Sequence, residues 1–491
     1  MALRWGMDTS WDLRNYHYYN GWALLHGHIH RDLLVAQTAG FYNPLIDLPF
    51  AWAASWMDAR LLAFLLGTLH GGNFILLTLL GESLLDDWAP APRTRLAMLL
   101  AAAGCAGAVA LSEIGTVFYD NVTSLGLFAT LLLLMRRWNG LVAGHRWDAL
   151  LAGLPLGLAF GLKQTMAPYP VGLCLALLLL LPASPARRFS AAFFFGIGVT
   201  VGLLATGGFW MVRLWQDYGN PVFPYFNQIF HSPWARPGDY RDIAFLPKGP
   251  AQWLFFPLFF AFDSRLTSEV AFQDYRLPLL FLLTLAAPFL GIGRRRRAAL
   301  LLLAVAIAYL LWLKLFSIYR YLVAVEMLAP LLVAAILGFL PQRRRLLAIL
   351  AMAAALLATT RPAQWIRMPF ESRAVAVTIP PIADPEHSLV LIAGHEPLSF
   401  LIPAFPPTMR FLRIDSTFTD PQQTSVPFNI LMKHEIDQHD GPLLALLIMS
   451  ERRDVVRMLG YDGLRMITEG CRPVTSPLEA GDYELCPVER Q

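Results

Sequence analysis

Two aspartates stand four residues apart near the start of the chain, in MDTSWDLRNYHYYN from Met7 to Asn20. On a helix, Asp8 and Asp12 would share one face. Asp8 or Ser10 could instead cap a helix beginning near Trp11. A carboxylate among Trp11, Tyr16, His17, Tyr18, Tyr19 and Trp22 is equipped to take a proton from a hydroxyl. The aromatic rings also suit the edge of a membrane. A second acidic pair, Glu113 and Asp120, falls in LSEIGTVFYDNVTSLGL. Those carboxylates could hold a divalent cation or orient a polar reactant, and Asp120 could equally cap a helix. Two cations complete the inventory. Lys163 in GLAFGLKQTMAPYP and Arg320 in FSIYRYLVAVE both stand in short turns between apolar runs. Lysine meets a phosphate as a point charge and arginine as a fork, although snorkelling and interfacial anchoring would also place them there. His26, His28 and His30 alternate, and a solvated loop is expected there rather than a metal set.

The elements that carry these residues are apolar helices. The chain has 491 residues, 56% hydrophobic and only 15% charged, with a mean hydropathy of +0.48. Soluble domains carry about 25% charged residues. The composition therefore fits a chain solvated mainly by lipid, and a net charge of +4 suggests no nucleic-acid partner. A span needs about 20 apolar residues. Segments 60–80, 94–117, 120–135, 147–163, 165–183, 189–213, 276–293, 298–317, 319–340 and 346–359 qualify, about ten transmembrane helices in all. The shorter apolar runs 44–57 and 251–262 read as surface-lying or re-entrant helices. Arginine clusters follow the first, third, fifth, seventh and ninth spans: Arg93 and Arg95; Arg136, Arg137 and Arg146; Arg187 and Arg188; Arg294–Arg297; and Arg343–Arg345. Under the positive-inside rule these ends are cytoplasmic. Asp8, Asp12, Glu113, Asp120, Lys163, Arg320 and the loop from Asn220 to His231 are then expected on the opposite face. Ionisable residues gathered at one membrane face point to a site.

The tail alternates differently. SLVLIAGHEP (388–397) and GPLLALLIMS (441–450) read as strands, and ERRDVVRMLGY (451–461) as a polar helix. The expected organisation is mainly α: a polytopic membrane domain over 1–360, with an external loop at 1–59, followed by a small extramembrane α/β domain over 361–491. Cys105 and Cys174 read as buried hydrophobes. Cys471 and Cys486 could pair in an oxidising compartment, a question the sequence leaves open.

MDTSWDLRNYHYYN, SEIGTVFYDN, GLAFGLK, GNPVFPYFN, the outer YRY and the extramembrane tail, taken in that order, resemble the GT-C superfamily of membrane glycosyltransferases that use polyprenyl-phosphate-linked sugars. The resemblance spans most of 5–340 and rests on topology with weak motifs. It implies a membrane helix ahead of the aspartate loop, so the first family helix is expected to be missing here. It also implies that Asp12, or alternatively Asp8, is the catalytic carboxylate. Asp120, or less directly Glu113, would help bind the acceptor or a metal. Arg320, Lys163, Tyr321, His17 and Asn220 would contact the substrate and its phosphate. The implied partners are a polyprenyl-phosphate-linked sugar, membrane lipid and a glycan, lipid or protein acceptor. A divalent cation, Mg or Mn, is optional. The implied location is a bacterial inner (plasma) membrane, with the site and C-terminus extracytoplasmic. A lipid-linked glycan polymerase or ligase would rely more on outer Arg and His. A glycolipid transporter or flippase would place its charges near the bilayer midplane, where these spans carry few.

Overall fold

The computed structural model describes residues 1–236, 238–416, 418–419, 425–478 and 481–491. The Arg294 side chain, part of one arginine cluster, also lies outside the described set. The chain divides into two compact units. One gathers Met1–Leu65, Trp210–Tyr240 and Ile366–Gln491. The other comprises Leu66–Phe209 and Arg241–Trp365.

The second unit is helical. Among the described residues, four helices are long and apolar enough to cross a membrane: Ala59–Leu84, Pro185–Tyr218, Arg296–Leu315 and Tyr319–Phe339. They coincide with four of the ten expected spans. The other six segments contain helix that is shorter, interrupted or headed by arginines. The expected span 165–183 opens with a 3-10 turn at Gln164–Met166, and its α-helix covers only Pro168–Leu180. The expected span 276–293 keeps α-helix over Arg276–Ala286, and 346–359 belongs to Gln342–Thr359, whose first turn holds Arg343–Arg345.

At the centre of this unit lies Val323–Ile336, every residue of which is buried. Its sequence, VAVEMLAPLLVAAI, is apolar around its circumference apart from Glu326, as befits a helix enclosed on all sides. Elsewhere, Gly153, Gly157 and Gly161 of helix Arg146–Leu162 face Gly198 and Gly202 of Pro185–Tyr218. A Cβ at any of them would strike the opposite helix, mostly its backbone, so the two helices pack by the small-residue contact familiar in membranes.

The expected span 94–117 is interrupted. It runs as Pro90–Cys105, breaks at Ala106–Gly107, and resumes as the short helix Ala108–Ser112. A break exposes orphan carbonyls on one side and orphan N–H groups on the other, and buried charges satisfy both. Arg276 donates from Nε and Nη2 to the Ala103 carbonyl at 2.9 and 2.7 Å, and from Nη2 to the Ala106 carbonyl at 3.0 Å. Asp274 accepts from the Ala108 N–H at 2.9 Å. Glu326 accepts from Val109 at 3.2 Å and Ala110 at 2.9 Å. Arg276 and Asp274 form an ion pair, and the Tyr319 hydroxyl donates to Glu326 at 3.3 Å. Gly104 and Gly107 make room for this arrangement: a side chain there would run into the Met327 carbonyl and the Glu326 carboxylate respectively.

The first unit carries the β structure. Strand β1 (Met7–Asp8) pairs antiparallel with β2 (Arg367–Met368). The larger sheet comprises β3 (Leu389–Ile392), β4 (Arg410–Arg413), β5 (Leu443–Ile448), β6 (Leu464–Met466), β7 (Arg472–Val474) and β8 (Tyr483–Arg490). Its order is β4-β3-β5-β8-β6, with β7 also paired to β8. The pairs β3–β4 and β3–β5 are parallel, and β8 runs antiparallel to its neighbours. The expected strands at 388–397 and 441–450 and the helix at 451–461 appear as β3, β5 and Arg452–Tyr461. Cys471 and Cys486 form a disulfide. Phe223, from the proline-rich loop, stacks with Tyr218 and packs against Phe41, Phe418 and Phe428.

Replacing Arg276 with Met leaves two helix-end carbonyls and the Asp274 carboxylate without their partner. We expect a loss of about 3–5 kcal/mol, read as a lowered thermal midpoint of the purified protein in detergent. Cys486→Ser opens a loop with a sequence separation of 15 and is expected to cost roughly 3 kcal/mol. The same assay, run with and without reductant on the unmutated protein, checks that figure.

Candidate active site

The interrupted helix presents Glu113. Ala108–Ser112 ends with Glu113 as its C-cap, and the chain then turns through Gly115 at φ 76° and Tyr119 at φ 63°. A bulky residue in the left-handed region is strained, and such strain concentrates at functional sites. Asp120 follows at once as the first residue of helix Asp120–Arg136. The expected capping role for Asp120 is not seen: Tyr119 occupies the N-cap position, and among the described residues Asp120 Oδ2 has no hydrogen-bond partner. The carboxylate turns to Lys163, whose Nζ donates to Asp120 Oδ1 at 2.7 Å and to the Phe118 carbonyl at 2.6 Å. Lys163 is thus folded inward onto a carboxylate rather than snorkelling outward.

Glu113 is buried, and among the described residues neither of its carboxylate oxygens has a hydrogen-bond partner. Asp120 Oδ2 is in the same condition. Glu113 lies within electrostatic reach of Asp120, Lys163, Arg320 and Glu326. Arg320 stands on the 3-10 turn Tyr319–Leu322, three residues after Ser317 at φ 54°. Its guanidinium lies over the rings of Phe118 at 4.9 Å and Tyr321 at 5.5 Å. Lys163 Nζ lies 5.6 Å from the Tyr321 ring centre, and the Tyr321 carbonyl accepts from the Tyr169 hydroxyl at 2.7 Å. Phe118 packs against Trp365, whose indole donates to Ser112 at 3.1 Å. Five residues singled out from sequence, Glu113, Asp120, Lys163, Arg320 and Tyr321, therefore form one cluster within the helical unit.

The remaining candidates lie in the other unit, and each has its own local setting. Asp8 is on β1, so it shares no helical face with Asp12, as the four-residue spacing had suggested. Its Oδ1 accepts from the Ser10 N–H at 2.9 Å, and Ser10 Oγ accepts from Leu13 N at 3.3 Å. Ser10 therefore supplies the cap. Asp8 sits in register with Arg367, whose guanidinium is held below its ordinary value by burial, with Asp8 opposing that shift. Asp12 is half-buried and directly precedes a π-helical stretch, Leu13–His17, a deformation frequent at functional sites. His17 closes that stretch and pairs through Nδ1 with Asp47 Oδ1 at 2.6 Å, both side chains being buried. Asp47 went unnoticed in the sequence, although it is the only charge in the apolar run 44–54. Asn220 is fully buried: Nδ2 donates to the Tyr225 carbonyl and Oδ1 accepts from Val222 N, both at 3.0 Å. Its amide thus braces the proline-rich turn. His28 is buried rather than solvated, held by Asp32 at 2.9 Å and the Pro407 carbonyl at 3.0 Å.

Glu113 and Asp120 offer oxygens that a divalent cation could use. Among the described residues, the one grouping of three ligand atoms within 4.8 Å is Cys471, Glu484 and Cys486, and its sulfurs are joined to each other.

No protein-family profile matches the chain, and no curated protein does. Among solved structures, it is similar to the Archaeoglobus fulgidus oligosaccharyltransferase in its apo form, at 12% identity and a TM-score of 0.45 over 93% of this chain and 68% of that one. The same enzyme in complex with Zn and sulfate aligns at 14% identity and a TM-score of 0.45 over 93% and 66%. The chain thus spans about two thirds of that protein's length. At this identity and score no residue-to-residue correspondence follows.

Asp120→Asn and Lys163→Met each leave the other member of a mostly buried pair without its partner. Each single variant is expected to be destabilised by about 3–5 kcal/mol. The double variant should recover at least half of that loss, which a double-mutant cycle on thermal midpoints would measure.

Proposed function

We propose that the protein is an integral-membrane glycosyltransferase that moves a sugar from a polyprenyl-phosphate donor to an extracytoplasmic acceptor with inversion. The observation that carries this reading is the Glu113–Asp120–Lys163–Arg320 cluster: two carboxylates with buried oxygens to spare, beside two cations held against aromatic rings, in a helical unit with an apolar core. Few other chemistries need both an acid pair and a fork for an anion among apolar helices.

In this reading the Asp12 carboxylate accepts the proton of the acceptor hydroxyl as that oxygen attacks the anomeric carbon. Asp12 is preferred to Asp8 because WDLRNYH is the denser part of the motif. Arg320 neutralises the charge that develops on the departing phosphate, with Tyr321 and Phe118 fixing the plane of its fork. Lys163 contributes chiefly by holding Asp120 in place, since its ammonium is already engaged there. Glu113 and Asp120 bind the acceptor, or would hold a divalent cation such as Mg or Mn. When bound, that cation would supply positive charge for the donor phosphate.

The test incubates the purified protein with a panel of polyprenyl-phosphate sugars and measures release of the lipid phosphate. Asp12→Asn is expected to lower turnover by roughly 10²–10⁴-fold. Asp8→Asn keeps the Oδ1 acceptor and is expected to stay within a few-fold of the unmutated rate. Full turnover in Asp12→Asn would refute the assignment.

A further inference from the structure

A second charged assembly in the helical unit takes no part in the chemistry above. Arginines 294–297 lead into helix Arg296–Leu315, and Arg343–Arg345 occupy the first turn of Gln342–Thr359. One carboxylate draws the two runs together: Asp87 Oδ2 accepts from Arg295 Nη2 at 2.9 Å and from Arg345 Nη1 at 2.5 Å. Arg295 also donates to the Gly338 carbonyl at 3.0 Å, and Arg345 to the Ala334 carbonyl at 3.2 and 3.1 Å. Asp86 is engaged by Arg297 at 3.3 Å. Both nearby acids are therefore committed.

Among the described side chains, three guanidiniums are left over. Arg296, Arg343 and Arg344 are exposed and have no hydrogen-bond or ion-pair partner among the described residues. They stand at the starts of two helices, where the backbone adds positive rather than negative potential. Within an already basic cluster such an arrangement repels itself unless an anion is present.

The surroundings indicate what kind of anion. Trp88 lies 5.6 Å from the Arg345 guanidinium and Trp138 lies 5.9 Å from that of Arg297, both indoles being buried in the helical core. One turn further along the second helix, Leu346, Leu347 and Leu350 are exposed. Phe339 is exposed as well, as is Phe289 just before the first arginine run. A soluble phosphate accounts for the cations but not for this apolar surface directly beside them. A molecule with an anionic head and hydrocarbon tails accounts for both. Basic pockets between membrane helices are known to hold phospholipid head groups.

We propose that Arg296, Arg343 and Arg344 form a binding site for the head group of an anionic phospholipid, with its acyl chains lying along Leu346, Leu347 and Leu350. A head group carrying two phosphates should bind best, because three unmatched cations exceed the charge of one. The site rests on this cluster alone and is independent of the glycosyl-transfer reading.

The experiment uses the full-length protein in detergent and measures bound lipid by native mass spectrometry and the thermal midpoint on titration with phosphatidylcholine, a singly anionic phospholipid or a bis-phosphate phospholipid. The unmutated protein should retain anionic lipid and gain stability on adding it, most with the bis-phosphate lipid. The triple variant R296Q/R343Q/R344Q should bind on the order of 100-fold more weakly. Its midpoint without lipid should be unchanged, since none of the three side chains is engaged. A charge-matched variant altering other exposed arginines, R136Q/R146Q/R187Q, should bind as the unmutated protein does. Equal loss in both triple variants would reduce the effect to diffuse surface charge and overturn the site. An equal midpoint shift with inorganic phosphate or diphosphate would overturn the lipid assignment.

Discussion

The candidate site depends on one interrupted helix. Between Pro90–Cys105 and Ala108–Ser112, the ends of two helical segments face each other inside the protein, where water cannot satisfy them. Arg276 takes the carbonyls of the first segment, and Asp274 and Glu326 take the N–H groups of the second. Charge-assisted hydrogen bonds are about twice as strong as neutral ones. Their signs also match the partial charges at the two helix ends. Without this clamp an unbroken helix would carry Glu113 further along its own axis. With it, the acid is delivered to a buried turn beside Asp120, Lys163 and Arg320. The same glycines that permit the break bring the central helix into backbone contact, so position and packing are set together.

The unit that carries the β structure solves a related problem by other means. Beside the buried pairs His17–Asp47 and His28–Asp32, it directs several buried polar groups at backbone. Arg413, fully buried and pushed down to about 10 by its loss of water, donates to the carbonyls of Val35, Gly394 and Glu396. Ser399 donates to the Arg14 and Asn15 carbonyls, and His28 reaches the Pro407 carbonyl. These contacts join the N-terminal segment to the sheet region across more than 370 positions of sequence. The polar, aromatic opening of the chain is therefore folded structure, with its histidines and asparagines serving as internal struts.

Much of this was legible in the sequence where a single local force decides the outcome. Strands β3 and β5 follow from short continuous apolar runs bounded by turn residues, and the helix Arg452–Tyr461 from amphipathic spacing. Ser10 was recognisable as a cap. Grouping Glu113, Asp120, Lys163 and Arg320 required only that each lie at a turn between apolar runs. What remained hidden depends on partners distant in sequence. Hydropathy windows merged the broken helix into one span, because Ala106–Gly107 is as apolar as its surroundings and the charges that stabilise the break lie some 170 and 220 positions away. Asp8 and Asp12 were placed on one helical face because spacing cannot reveal that Asp8 would pair with β2, some 360 residues later. His17 drew attention as a ligand, whereas Asp47, its buried partner, sat unremarked in an apolar stretch. A lone charge in such a stretch is the signal that would have found both Asp47 and Glu326.

The glycine-lined contact between helices Arg146–Leu162 and Pro185–Tyr218 has a consequence for traffic. Backbone lies against backbone along three turns, leaving no slot the width of a hydrocarbon chain. A prenyl or acyl tail cannot slip between these two helices, and the pair must move as one rigid stave. Any long-chain lipid that reaches the interior has to pass by another seam of the helical wall.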